Sequence, residues 1–80
     1  QHGERLAQLV RHRLEELPGV ISRLEQEIAK LEHLLSDAGL YAREPDKFSK
    51  ATEALAARQS ALTAAEEEWL HLAGKAESEV

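Results

Sequence analysis

Residues 14–35 read LEELPGVISRLEQEIAKLEHLL, and this stretch decides the fold. Its large apolar residues Leu14, Leu17, Ile21, Leu24, Ile28, Leu31 and Leu35 alternate spacings of 3 and 4 without a miss. On a helix that spacing draws one narrow stripe, the a/d seam of a coiled coil. Glu15, Glu16, Arg23, Glu25, Gln26, Glu27, Lys30 and Glu32 fill the intervals and favour water. An apolar stripe this regular needs a partner helix.

Upstream, Leu6, Leu9 and Val10 join Leu14 at helical spacing and carry the seam backwards. Pro18 and Gly19 interrupt it. An interior proline withholds an N–H and crowds the preceding turn. The heptad phase nevertheless continues across it. The expectation is therefore a helical arm over 5–36, kinked or interrupted at 17–19. Ser36-Asp37-Ala38-Gly39 follows, with Gly39 as a C-terminal stop. Residues 37–44 read as a loop. Glu44-Pro45-Asp46 opens a second arm over 45–76, because proline suits the first helical position and carboxylates suit the N-terminal end of the dipole.

The partner stripe lies in that second arm. Phe48, Leu55, Leu62, Trp69 and Ala76 recur every 7 residues, with Ala51, Arg58, Ala65 and Leu72 between them. One short loop makes the arms antiparallel. Their lengths match, at about 48 and 46 Å for a rise of ~1.5 Å per residue. The fold class is all-α, a two-helix antiparallel coiled-coil hairpin in a single domain of residues 1–80. The natural register opposes Leu31 with Leu55, Leu24 with Leu62, Leu17 with Trp69 and Leu14 with Leu72. It also sets Ile28 against Arg58, which is tolerable only if the guanidinium reaches past its own stem. A slip of one helical turn is also compatible with the pattern. Trp69 reads as core against Leu14 and Leu17, with its N–H at the edge.

Composition narrows the function. The chain is 42% hydrophobic and 31% charged, with no cysteine and a formal charge of −5. It has no disulfide or thiolate–zinc staple, and it lacks an apolar run near the ~20 residues of a membrane span. The negative balance argues against broad attraction to nucleic acid. The basic residues cluster, however. Arg43, Lys47 and Lys50 gather at the hairpin tip, where Lys47 and Lys50 share a helix face. With Tyr41 beside them they read either as a small phosphate-contacting tip or as a solvated loop in which Tyr41 and Phe48 cap the core. Arg5, Arg11 and Arg13, near His12, form a second cluster. It either contacts nucleic acid or pairs internally with Glu66, Glu67 and Glu68 across the hairpin. Arg11 and Arg13, two residues apart, point in different directions. His33 and His71 are single histidines without the convergent partners a metal needs. No nucleophile arrangement stands out, and two helices offer little of the pocket catalysis requires.

Taken in order, Arg13-Leu-Glu-Glu-Leu-Pro18, Ile21, Leu24-Glu25, Leu40-Tyr41, Pro45-Asp46-Lys47-Phe48 and Trp69 resemble the C-terminal domain of ABC-F ATPases, most nearly the Uup-like branch. The resemblance spans about Arg5 to Leu72. It departs at Arg5-Leu6-Ala7-Gln8, where the family often has K-L-S-Y, and at Ala38-Gly39, where Asp-Pro is common. Glu44 also stands where Asp usually precedes the proline. The resemblance implies a cytoplasmic parent with two ATP-binding cassettes and no membrane domain, acting on DNA or on RNA such as the ribosome. The hairpin would contribute nucleic-acid contacts through Arg43, Lys47, Lys50, Arg5, Arg11 and Arg13. It would carry no cofactor and no enzymatic activity of its own, ATP and Mg belonging to the cassettes of the parent. The phosphate-binding G-x-x-x-x-G-K-[ST] loop is absent from this sequence. The chain opens on Gln1 rather than Met, which suggests a piece of a longer protein. The alternative reading is a structural or protein-docking coiled coil, marked by exposed apolar residues such as Leu9, Leu34 and Leu70. The expected state is a monomer or weak self-association through those residues.

Overall fold

A computed structural model describes residues 2–78, with side chains described from 5 to 75. Three helices follow one another: α1 (His2–Leu35), α2 (Leu40–Arg43) and α3 (Pro45–Ser78). The long helices α1 and α3 pack together along their length, and α2 packs on α3 at the turn. The molecule is a rod of 60 × 16 × 14 Å with a radius of gyration of 17.9 Å. A compact chain of this length would have about 12 Å. The all-α antiparallel hairpin is the fold.

The seam of α1 lies where the 3-and-4 spacing put it. Leu17 is fully buried, and Leu14, Ile21, Leu24, Ile28, Leu31 and Leu35 are half-buried. On α3, Ala51 and Ala65 are buried, with Phe48, Leu55 and Leu62 half-buried beside them. Large residues on one helix thus meet small ones on the other. Leu40, on α2, is 2% exposed and closes the tip end of the seam. Trp69 departs from its expected core position, being 39% exposed. Two helices form too thin a layer to enclose an indole, so the ring covers the seam from its edge.

Pro18 does not break the first arm. It sits inside a continuous α1, so of the two outcomes its ring allowed, an interruption does not occur. The Leu14 carbonyl simply lacks its usual donor four residues on. The helix ends instead by tightening: the Ser36 N–H donates to the Glu32 and His33 carbonyls, and the Ser36 hydroxyl to the His33 carbonyl at 2.6 Å. Gly39 is not a left-handed stop, since the described residues hold no glycine with positive φ. It precedes α2 with φ −90° and ψ −5°. Residues 40–43, which showed no clear periodicity, form this single turn of helix because the Arg43 and Glu44 N–H groups donate to the Gly39 and Leu40 carbonyls at 3.0 and 2.8 Å.

Among the described residues, Arg58–Glu27 and Arg13–Glu68 bridge the long helices. Arg58 Nε donates to Glu27 Oε2 at 2.8 Å. Its guanidinium therefore does leave the seam, turning to the residue beside Ile28. Arg13 grips Glu68 with two bonds, Nε to Oε2 at 2.7 Å and Nη2 to Oε1 at 3.0 Å. Both pairs lie on one flank of the seam. That flank carries Arg13, Val20, Glu27 and Leu34 of α1, spaced one heptad apart, against Lys47, Ala54, Ala61 and Glu68 of α3.

Candidate nucleic-acid interface

The tip is built by Asp37. Its Oδ1 accepts the Gly39 N–H at 3.0 Å, the local bond that lets an aspartate turn the chain. Its Oδ2 accepts from Arg43 Nη2 at 2.6 Å. The Arg43 bond first, and the Gly39 bond second, hold the Asp37 carboxyl below its ordinary range. A Cβ on Gly39 would fall on Nη1 of Arg43, so the end of that flexible side chain would have to shift. Tyr41 is 66% exposed and meets Phe48 edge-on, with ring centroids 5.3 Å apart and planes at 84°. Phe48 is the half-buried partner of the two, and Leu40 rather than Tyr41 is the buried residue of α2.

The structure brings Arg43, Lys47 and Lys50 together. With Glu44, Pro45 and Asp46 they line one open hollow of about 500 Å³. They differ in how freely they can meet an anion. Arg43 is tied to Asp37. Lys47 stands 3.9 Å from Glu44, a loose contact. Lys50 is exposed and enters no ion pair among the described residues.

The second basic cluster is divided. Arg13 turns inward to Glu68 and also lies 3.2 Å from Glu16. Its bond to Glu68, ahead of the weaker contact with Glu16, raises an already basic guanidinium further, and the same bond lowers the Glu68 carboxyl. Arg5 and Arg11 are exposed. Arg11, two residues from Arg13, falls on the opposite flank of α1. His12 lies 2.6 Å from Glu16, one turn on. Among the described residues, no three His, Asp or Glu side chains gather in a metal-binding arrangement, and no helix is long and apolar enough to cross a membrane.

Exposed apolar residues collect at the open end of the hairpin. Leu6, Leu9 and Leu70 are 57, 62 and 66% exposed, whereas Leu34 is half-buried. Leu6 and Leu9 face the flank that carries Arg13, and Leu70 faces the other. Sequence reading found the basic residues but missed Asp37 as the partner of Arg43. The signal was present, because an aspartate two residues before a glycine is a turn former.

A family model described as the ABC transporter C-terminal domain matches residues 5–73. No curated protein and no solved structure matches the chain.

Proposed function

Because the chain belongs to the ABC transporter C-terminal domain family, we propose that it is the accessory nucleic-acid-binding hairpin of a cytoplasmic ABC-F ATPase, Uup-like within that group. The domain is non-catalytic in this reading. ATP and Mg act in the cassettes of the parent chain, and the hairpin supplies contact to DNA or RNA phosphates. The observation that carries the reading is the shared hollow of Arg43, Lys47 and Lys50 at the tip. Exposed cations converging on one open site are the minimum a phosphate contact requires. The exposed Tyr41 ring beside them offers a stacking surface for an unpaired base.

The test is a salt titration of binding to duplex DNA, single-stranded DNA and a structured RNA. Affinity should fall steeply with salt, as expected when cations displace counterions from phosphates. Replacing Lys47 and Lys50 together with Gln should weaken binding to every ligand and flatten the salt slope by about 1.8, at ~0.9 per phosphate on a duplex. An absence of binding at low salt would reject the reading. It would leave the second one, a protein-docking arm, which the exposure of Leu6 and Leu9 at the open end favours.

A further inference from the structure

The net charge of −5 conceals a division that the fold creates. The seam separates two flanks, and helical periodicity assigns each residue outside it to one flank or to the outer edges. On the flank of the two ion pairs, α1 places Arg23 and Lys30, one heptad apart, and α3 places Lys47 and Lys50. Arg23 lines the same hollow as Arg13 and Glu68, which fixes it on this side. The acids of this flank are largely committed. Glu68 and Glu16 hold Arg13, and Glu27 holds Arg58. Arg23, Lys30 and Lys50 are exposed, and no ion pair among the described residues engages them. The opposite flank has the reverse balance, with Glu15, Glu25, Glu32 and Glu66 against Arg11.

We propose that the whole flank from the tip cations Lys47 and Lys50 down to Lys30 and Arg23 is the contact surface for a duplex phosphate backbone, with the tip as its far end only. The proposal rests on the nucleic-acid reading above and says which face of the rod carries it. Arg23 and Lys30 are about 10 Å apart along the helix, at ~1.5 Å per residue. The alignment set by the Arg13–Glu68 and Arg58–Glu27 pairs carries the row onward to Lys50 by about one turn and then to Lys47, about 20 Å in all. A straight run of that length follows roughly six base pairs, at ~3.4 Å per phosphate of one strand. Between the cations, the α3 side of the flank presents Ala54, Ala57, Ala61 and Ala64. Their small side chains leave a shallow trough beside Val20 and Leu24 and let a backbone ridge come close. No Phe, Tyr or Trp belongs to the flank between Lys47 and Arg23, since Tyr41 is at the tip and Phe48 and Trp69 are on the seam. Single strands are held by stacking on aromatic rings, so the flank suits a rigid duplex. The acidic opposite flank repels the same ligand and makes binding one-sided.

The experiment compares two charge-matched double variants of this chain on a 20-base-pair DNA duplex. Arg23→Gln with Lys30→Gln removes cations from the middle of the flank, far from the tip. Arg5→Gln with Arg11→Gln removes the same charge from outside it. All these side chains are exposed, and circular dichroism confirms that each variant is folded. The flank variant should bind roughly tenfold more weakly or worse at 50 mM salt, with a salt slope shallower by about 1.8. The Arg5/Arg11 variant should change far less, and a single-stranded oligonucleotide should bind more weakly than the duplex. Equal losses in the two variants, or a loss confined to Lys47→Gln with Lys50→Gln, would overturn the flank while leaving nucleic-acid binding intact. Tighter binding to the single strand would overturn the duplex assignment. If the unaltered chain binds neither ligand at low salt, the parent reading and the flank fall together.

Discussion

At the scale of single residues, the hairpin depends on a few positions that no neighbour can replace. Leu17 is fully buried in a molecule with very little else enclosed. Leu17→Ala should cost about 2–5 kcal/mol. Domains this small hold only about 3–5 kcal/mol of net stability, so the variant should be largely unfolded by circular dichroism at 25 °C. Gly19 shows the reverse. It lies in the interior of α1 with ordinary helical φ, and a Cβ there would meet nothing within 4 Å. Gly19→Ala should therefore stabilise the chain by about 0.5–1 kcal/mol, read as a higher urea midpoint. Gly39 differs from both, because its missing side chain makes room for the Arg43 guanidinium. Gly39→Ala should push Arg43 off Asp37 and let the Asp37 carboxyl rise toward its ordinary value of 3.8, measurable by an NMR pH titration.

At the scale of the elements, the question is how two long helices find one register. A 3-and-4 stripe slides by a turn with little loss of apolar contact, which is why the sequence pattern admits a slip. Two cross-helix pairs tie the alignment that is found, Arg13 to Glu68 and Arg58 to Glu27. Because the Arg13 bond depresses the Glu68 carboxyl, the stability it lends is complete above the unfolded pKa near 4.5. It is lost as pH falls through the lower, folded value. Glu68→Gln should therefore lower the melting temperature at pH 7 and narrow the gap from the parent as pH drops below 4, followed by thermal denaturation across pH 2–7. Pro18 belongs to this scale too. It is exposed within a continuous α1, so Pro18→Ala should restore a donor to the Leu14 carbonyl. It should raise stability by up to ~3 kcal/mol, the interior proline penalty.

At the scale of the whole molecule, the hairpin is a rod that sorts charge. Its length matters because it holds cations in a row, and its thinness because every residue outside the seam falls near a surface. Small-angle scattering from the monomer should give a radius of gyration near 18 Å, consistent with the 17.9 Å of the Cα trace. A substantially larger value together with a doubled mass in light scattering would show self-association, with Leu6, Leu9 and Leu70 as the exposed apolar residues available to it. The basic residues are therefore better grouped by flank than by their distance in the chain. Arg11 and Arg13 are near neighbours in sequence and belong to opposite sides, whereas Arg23 and Lys50 belong to the same one.

The sequence by itself determined the two helices, their stripes and the antiparallel hairpin, because helical periodicity is local and each stripe exposes its need for a partner. It also indicated that Arg43, Lys47 and Lys50 would lie close together, since they are near in the chain and meet at a turn. Only the tertiary structure decided which charges are spent. Arg13 and Glu68 are separated by 55 residues, and Arg58 and Glu27 by 31. Such pairs depend on the rotation and register of one helix against another, which differ between alternatives by small packing energies that no local pattern records. The same rotation placed Arg23 and Lys30 on a flank with Lys50 and left Glu15, Glu25, Glu32 and Glu66 on the other side. Within the turn, the bond from Arg43 to Asp37 made Gly39 space for a guanidinium rather than the expected helix stop.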